Sequence, residues 1–98
     1  MSFAIVFSSE ADAQMDTIEI NPALSKRCKA VHKALAFLES NPRHPDLKTH
    51  KFTAMIGPNG EDVFEAYAEN NTPGAYRIFW MYGPAKDVIT VLAVTAHP

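Results

Sequence analysis

The sequence predicts an α+β domain, with one or two helices on one face of a sheet whose last four strands form an antiparallel meander. Three observations predict it. Apolar residues recur at helical spacing between residues 22 and 39, and turn signals divide the second half of the chain into short strands. Two apolar runs, residues 74–82 and 88–95, flank a Gly/Pro/Asp break near the end. Strands that follow helices, instead of alternating with them, favour this fold class.

The composition is that of an ordinary globular domain. The chain has 98 residues, so we expect a single domain spanning residues 1–98, and 47% hydrophobic with 20% charged residues fits a soluble fold. Cys28 is the only cysteine, which excludes an internal disulfide and fits a reducing compartment. The apolar run at residues 3–7 is too short for a signal peptide or a membrane span, so the expected location is cytoplasmic. The formal net charge of −2 argues against a general nucleic-acid binder, which usually carries a positive excess.

The first fifth of the chain contains a strand and a helix signal. Residues 3–7 are apolar and predict a short strand. Ser9, followed three residues later by Asp12, is typical of a helix start, because the hydroxyl can cap free amides and the acid suits the positive end of the helix dipole. We therefore expect a short helix or helical turn over residues 10–16.

The second helix has the clearest local signal. Asn21 is a good N-cap and Pro22 suits the first helical position, while Asn41-Pro42 ends the pattern, so the helix should cover residues 22–39. Its apolar stripe consists of Leu24, Cys28, Val31, Leu35 and Leu38. Since Cys28 belongs to the stripe, a packed thiol is expected instead of a nucleophile. Four bases lie off the stripe and are interpreted as a solvated face: Lys26, Arg27, Lys29 and Lys33.

The meander begins with a strand near His50. The Asn-Gly pair in the turn at residues 57–60 predicts a hairpin, and residues 63–69 form its second strand. Side chains alternate across a strand, so four sets are each expected to share a face. These sets are Val63, Glu65, Tyr67 and Glu69; Phe64, Ala66 and Ala68; Arg77, Phe79 and Met81; and Ile78, Trp80 and Tyr82.

Arg77 is the residue that does not fit its apolar strand. A guanidinium keeps its charge, so it must reach water or an anionic partner. Either its stem packs on the sheet while its head reaches solvent, or it serves binding or catalysis. The face of the sheet without helices is the natural place for it to act.

Familiar catalytic motifs are lacking in the sequence. His32, His44, His50 and His97 show no metal-ligand spacing to one another, and no CxxC pair, nucleophile elbow or Gly-rich phosphate loop is present. What remains is a set of cations with a carboxylate and an imidazole, which suits phosphate-ester chemistry. The members of this set are Lys48, His50, Lys51, Glu65, Tyr67, Arg77 and His97.

Three segments together resemble the RelE/ParE superfamily of type II toxins: LAFLESNPRHPDLKTHKF, AYRIFW and ITVLAVTAHP. The resemblance covers nearly the whole chain and is weakest in the first twenty residues. It implies a RelE-like β-α-α-β-β-β-β domain. RelE-type members cleave mRNA on the ribosome by letting the ribose 2′-hydroxyl attack the neighbouring phosphate, whereas ParE-type members inhibit DNA gyrase. Both kinds are held inactive by an antitoxin.

The resemblance also implies roles for individual residues. Arg77 falls on the phosphate-contacting arginine of the family. His97 falls near the C-terminal position where related RNases place a histidine or arginine, so it would be the proton donor. Lys48 matches the family's entry to the sheet and is an expected substrate contact. Residue type alone makes Glu65 the candidate base and adds His50, Lys51 and Tyr67 to the expected substrate contacts. No metal and no cofactor are implied. The expected partners are a cognate antitoxin and the ribosome with its mRNA, a membrane is not expected, and a homodimer is left open.

Two other functions stay open at this point. The second hypothesis is a RelE-fold interaction module without catalysis, which binds an antitoxin or itself. It is favoured by the acidic net charge and by the strand around Glu65, where the family often has Lys or Arg. It is also favoured by Pro98, which follows His97 where related enzymes carry a catalytic tyrosine. A ParE-type gyrase inhibitor is the third hypothesis, and no residue pattern separates it from the other two.

Overall fold

The computed structural model describes residues 2–97, and Pro98 lies outside this range. Two helices and five strands are connected by short turns. Their bounds are β1 (Ala4–Phe7), α1 (Ser9–Ile20), α2 (Ser25–Ser40), β2 (His50–Ile56), β3 (Asp62–Tyr67), β4 (Tyr76–Tyr82) and β5 (Val88–Ala96). Short 3₁₀ turns, Pro22–Leu24 and Pro45–Leu47, precede α2 and β2. Within residues 2–97, neither helix is both long and apolar enough to cross a membrane.

The five strands form one mixed sheet in the order β1-β5-β4-β3-β2. Strands β2 to β5 pair antiparallel in sequence order, which confirms the predicted meander. β1 instead pairs in parallel with β5, with Ala4 opposite Val88 and Phe7 opposite Val91. Neighbouring antiparallel strands need only short turns, whereas the parallel pair joins the two ends of the chain, which no local pattern indicates.

The first helix begins one residue earlier and runs farther than predicted. Ser8, not Ser9, is the N-cap, and its hydroxyl accepts a hydrogen bond from the amide of Ala11 at 3.1 Å. The same hydroxyl donates to the carbonyl of Leu92 at 2.9 Å, which ties the cap to β5. The helix continues to Ile20 because its buried residues keep helical spacing beyond residue 16. These residues are Ala11, Met15 and Ile18.

Asn21 caps the 3₁₀ turn and not α2 itself, since its side chain accepts from the amide of Ala23 at 3.0 Å. α2 then runs from Ser25 to Ser40, close to the predicted end. Within the predicted stripe, Val31 and Leu38 are fully buried, while Cys28 and Leu35 are half-buried against the same core.

The two faces of the sheet differ in what covers them. The helices pack on one face, where the sheet contributes Ala66, Ile78, Trp80, Ile89, Val91 and Val94 to the main core. The face without helices carries a smaller apolar cluster of Val63, Phe79 and Ala93, edged by Phe52, Met55 and Leu92. The predicted alternation therefore holds for Val63 and Phe79 on one side and for Ala66 and Ile78 on the other.

Glu69 departs from the predicted alternation. β3 ends at Tyr67, and the amides of both Ala68 and Glu69 then donate to the carbonyl of Tyr76, so the strand no longer continues regularly. The Glu69 carboxylate accepts a hydrogen bond from Arg27 Nε on α2 at 2.8 Å. The prediction that Arg27 belongs to a solvated face is therefore wrong. Its guanidinium also stacks on the Tyr76 ring at 4.1 Å.

The β2–β3 hairpin confirms the Asn-Gly turn signal. Gly60 has φ of +85°, a conformation that glycine adopts without strain, and the amide of Gly57 donates to the carbonyl of Glu61 at 2.9 Å. The Glu61 carboxylate accepts hydrogen bonds from its own backbone amide and from that of Asn59, and these bonds hold the pKa of Glu61 below its ordinary value of 4.5.

Candidate functional site

A buried carboxylate lies at the centre of the helix-free face. Glu65, in the middle of β3, is only 1% exposed. Among residues 2–97 it is the one charged residue that is buried. Its neighbours across the sheet are His50 on β2 and Phe79 on β4. A carboxylate removed from water needs charged or hydrogen-bonding partners, so its surroundings must be built to hold it.

Two imidazoles hold the two oxygens of this carboxylate. His50 Nε2 lies 2.8 Å from Glu65 Oε1, and His97 Nδ1 hydrogen bonds to Glu65 Oε2. Their side chains are 49% and 51% exposed, so each ring joins the buried acid to solvent. His50 is brought here by register, directly opposite Glu65. His97 follows the end of β5 and reaches the same face, with its ring 5.9 Å from that of Phe52.

The hydrogen-bond partners of the two rings limit where their hydrogens can lie. His50 Nδ1 faces the carbonyl of Lys48 at 3.1 Å while its Nε2 faces Glu65, and both partners are acceptors when the acid is ionised. The ring can donate to both only with a hydrogen on each nitrogen. His97 uses Nδ1 for Glu65, and among residues 2–97 its Nε2 has no hydrogen-bond partner. That nitrogen is free to meet a ligand.

Arg77 completes the cluster from β4. Its Nε lies 3.7 Å from Glu65 Oε2, so the guanidinium reaches an anionic partner as its charge requires. The guanidinium stacks on the ring of Tyr67, its direct neighbour across the β3–β4 pair, with 3.7 Å from its central carbon to the ring centroid. Its NH1 donates to the carbonyls of Glu69 at 2.7 Å and Tyr76 at 3.3 Å. These contacts fix the plane of the guanidinium.

The structure brings five of the predicted site residues into one cluster: His50, Glu65, Tyr67, Arg77 and His97. We call this group the Glu65 cluster. Lys48 lies at its edge, with Nζ 5.7 Å from the Tyr67 centroid. Lys51 does not join it. Lys51 is the next residue after His50 and pairs with Phe64, so its side chain projects from the opposite face of the sheet. There its Nζ lies 3.2 Å from Asp62 Oδ1.

Sequence reasoning missed two groups that the fold assembles. Phe52, two residues beyond His50 on the same strand face, packs between Phe79 and His97, and its alternation with His50 could have indicated this. On the helix side, Cys28 and His32 are four residues apart, one helical turn, and meet Glu19 from α1. The spacing of Cys28 and His32 was visible in the sequence, but the contribution of Glu19 depends on how the helices pack.

Three solved structures resemble the whole chain. A chain of the archaeal RelE–RelB complex from Pyrococcus horikoshii OT3 is 14% identical, with 98% of this chain and 96% of that chain covered and a TM-score of 0.66. The YoeB dimer from Staphylococcus aureus gives 15% identity, full coverage of both chains and a TM-score of 0.66. The YoeB/ParE toxin from Agrobacterium tumefaciens gives 9% identity, 98% and 100% coverage and a TM-score of 0.67. The chain has the RelE-like fold.

The order of helices and strands is the β-α-α-β-β-β-β order expected from the resemblance, which is thereby confirmed. The likeness to solved RelE-like structures extends over nearly the full length of the chain. No family model and no curated protein sequence matches the chain. At identities of 9 to 15%, the fold is shared while most individual residues differ. What the site of this RelE-like chain does must therefore be argued from its own residues.

Proposed function

We propose that this protein is a toxin of the RelE type that cleaves mRNA on the ribosome without a metal ion. The observation that carries the proposal is the Glu65 cluster, in which a buried carboxylate orients two half-exposed imidazoles beside a stacked guanidinium. Proton-transfer groups next to a fixed cation are what internal cleavage of a phosphodiester needs. The likeness in fold does not separate a nuclease from a gyrase inhibitor, so the nuclease proposal depends on this cluster.

In the proposed reaction, His97 Nε2 takes the proton of a ribose 2′-hydroxyl, so His97 acts as the base and not as the proton donor expected from the sequence. The 2′-oxygen then bonds to the adjacent phosphorus, and the bond from phosphorus to the 5′-oxygen breaks. In this scheme His50 holds a hydrogen on each nitrogen. The hydrogen on Nδ1 leaves the carbonyl of Lys48 and passes to the leaving 5′-oxygen, while Nε2 stays bonded to Glu65. The products are a 2′,3′-cyclic phosphate and a 5′-hydroxyl. At the end His97 holds one proton more and His50 one proton fewer than at the start.

Glu65 acts in this proposal as a positioning residue and not as the base expected from sequence. It is fully buried and both oxygens are already engaged, so the imidazoles stand between it and a substrate. By accepting from His97 Nδ1 it leaves Nε2 as the reactive nitrogen, as the acid of a catalytic triad does for its histidine. Arg77 stabilises the charge that develops on the phosphate, and Lys48 contacts the RNA backbone.

The first test is cleavage of mRNA in a translating extract, together with growth arrest on expression. His97→Ala and Arg77→Ala should each lower the cleavage rate by about 10²-fold or more. Arg77→Lys should recover little, since a lysine cannot reproduce the planar guanidinium on Tyr67. His32→Ala is the matched control, because His32 also pairs with a glutamate, at 2.9 Å, but on the helix side of the sheet. A wild-type protein that cleaves no mRNA, or a His32→Ala variant as impaired as His97→Ala, contradicts the proposal.

A substrate with sulfur in place of the 5′-bridging oxygen separates the two imidazole roles. Because a thiolate leaves without being protonated, this substrate should restore cleavage by His50→Ala but not by His97→Ala. Rescue of His97→Ala alone would reverse the two assignments.

A binding module without catalysis is the second candidate, and the contacts of Arg77 favour it. The guanidinium is only 13% exposed and already binds two carbonyls and an aromatic face, which is a complete structural role. In that case expression leaves growth and mRNA intact while the protein still binds its partner. The extract assay therefore decides between the two candidates.

An antitoxin is the partner that we propose under both candidates. Among the structures of the same fold, one is a RelE–RelB complex and another is a YoeB dimer. This chain exposes large apolar side chains that a partner could cover, with Ile56 on the edge strand β2 at 71% exposure. Co-purification with the product of an adjacent small reading frame tests the antitoxin, and a mass measurement of the free protein tests the homodimer.

A further inference from the structure

A second cluster of chemically active side chains lies between the two helices, on the opposite side of the sheet from the Glu65 cluster. Glu19 comes from the last turn of α1, and Cys28 and His32 come from successive turns of α2. His32 Nε2 is 2.9 Å from Glu19 Oε2 and 3.8 Å from Cys28 Sγ. All three potential ligand atoms lie within 4.8 Å of one another.

We propose that Glu19, Cys28 and His32 form a binding site for a divalent cation of the zinc class. Thiolate, imidazole and carboxylate are the side chains that bind zinc in proteins. With usual bond lengths and tetrahedral angles, two such ligands lie about 3.5 Å apart for sulfur and nitrogen and about 3.3 Å apart for nitrogen and oxygen. The observed 3.8 Å and 2.9 Å differ from these values by a few tenths of an ångström, which small side-chain rotations can supply.

The three side chains are open enough to solvent for an ion to enter, and their positions in the fold already bring the ligand atoms close together. Cys28 is half-buried and packs against the main core, which fixes the position of its sulfur. Glu19 and His32 are about half exposed, so the site is open to water and can keep a water molecule as fourth ligand. Deprotonated Cys28 and Glu19 together neutralise a doubly charged cation. The sulfur ligand selects zinc, cobalt or cadmium over magnesium and calcium.

A bound ion would link α1 to α2, because α1 supplies Glu19 and α2 supplies Cys28 and His32. The metal is thus expected to stabilise the folded chain, since an ion that binds only the folded state raises its melting temperature. The site is separate from the Glu65 cluster, so this inference does not depend on the proposed function.

The test uses the full chain, stripped of metal with a chelator and kept reduced. Titrated Co²⁺ should saturate at one equivalent and give a thiolate-to-cobalt charge-transfer band together with the visible bands of a tetrahedral site. Zn²⁺ should displace it and raise Tm by several degrees, while Mg²⁺ should do neither. Cys28→Ala should abolish the charge-transfer band. His32→Gln removes a proposed ligand, so it should weaken Co²⁺ binding by more than the roughly tenfold that loss of a residue merely supporting a ligand costs.

His50→Gln is the matched control, because His50 also pairs with a glutamate, at 2.8 Å, yet belongs to the Glu65 cluster. It should bind Co²⁺ as the wild type does. His32 is at the surface, so its variant stays folded even if Cys28→Ala loosens the core. The proposal is overturned if the wild type binds no more Co²⁺ than Cys28→Ala. It is equally overturned if His50→Gln, and not His32→Gln, removes binding.

Discussion

Replacing Glu65 by glutamine is the change that most directly probes the arrangement of the site. The substitution keeps the shape of the side chain but removes the charge and turns one acceptor oxygen into a donor. That new donor must face either His50 or His97, both of which donate to the carboxylate. One of the two imidazoles therefore loses its partner, and Arg77 loses its nearest anion.

The expected loss of stability follows from these contacts. A hydrogen bond to a charged group contributes about 1.5–3 kcal/mol, and Glu65 accepts two of them. Glutamine can keep one, and the released imidazole is half exposed and regains water. We therefore expect Glu65→Gln to lower the free energy of unfolding by about 1.5–3 kcal/mol, which for a chain of this length lowers Tm by roughly 6–24 °C. Chemical denaturation followed by circular dichroism measures this change.

The effect on mRNA cleavage should exceed what the loss of stability explains. At a temperature where the variant is fully folded, loss of imidazole orientation should lower the cleavage rate by about 10²-fold or more. Glu69→Gln is the matched control, because Glu69 is also largely buried and paired with a cation, Arg27, but on the helix side. It should lose comparable stability and keep its activity. Equal activity losses in the two variants, or full activity in Glu65→Gln, would refute the reasoning.

Two further predictions concern the fold. Leu38 is fully buried, so Leu38→Ala should lower the free energy of unfolding by about 2–5 kcal/mol. Leu35 is only half-buried, so Leu35→Ala should lower it by less. Denaturant unfolding measures both changes, and equal losses would contradict the burial argument. Glu61 has a lowered pKa in the folded state, so its carboxylate contributes stability above the unfolded value near 4.5 and loses it as the pH falls through the lower folded pKa. Wild type should thus exceed Glu61→Gln in stability at neutral pH, and the difference should vanish in acid; a difference independent of pH would show that the charge has no part in it.

Local patterns were sufficient for most of the elements. The stripe containing Val31 and Leu38, the Asn-Gly turn before Gly60 and the apolar alternation of β3 and β4 each reflect interactions within a few residues of one another. The helix starts were less well defined. Two neighbouring serines could each cap α1, and the choice of Ser8 also depends on its bond to Leu92, 84 residues away.

The candidate site shows the same division. The sequence provided the residue types for phosphate chemistry and, by strand alternation, the common face of Glu65 and Tyr67. That Arg77 lies on the same face follows from the register of β3 with β4, in which Tyr67 is opposite Arg77. The role of Glu65 could not be predicted, because burial depends on His50 and His97 arriving from β2 and from the end of β5. Lys51 was placed in the substrate site because it is basic, although its strand register turns it to the other face.

The sequence by itself determined the α+β class, the meander and the helix stripe, since these depend on periodicity and turn chemistry that act over short stretches of chain. Only the tertiary structure decided that β1 pairs with β5, that Arg27 binds Glu69, and that Glu65 is held between two imidazoles. The physical reason is that neither a strand edge nor a charged side chain has its partner nearby in the sequence. Its partner, its burial and therefore its chemistry are set by which distant strand or helix the fold places beside it.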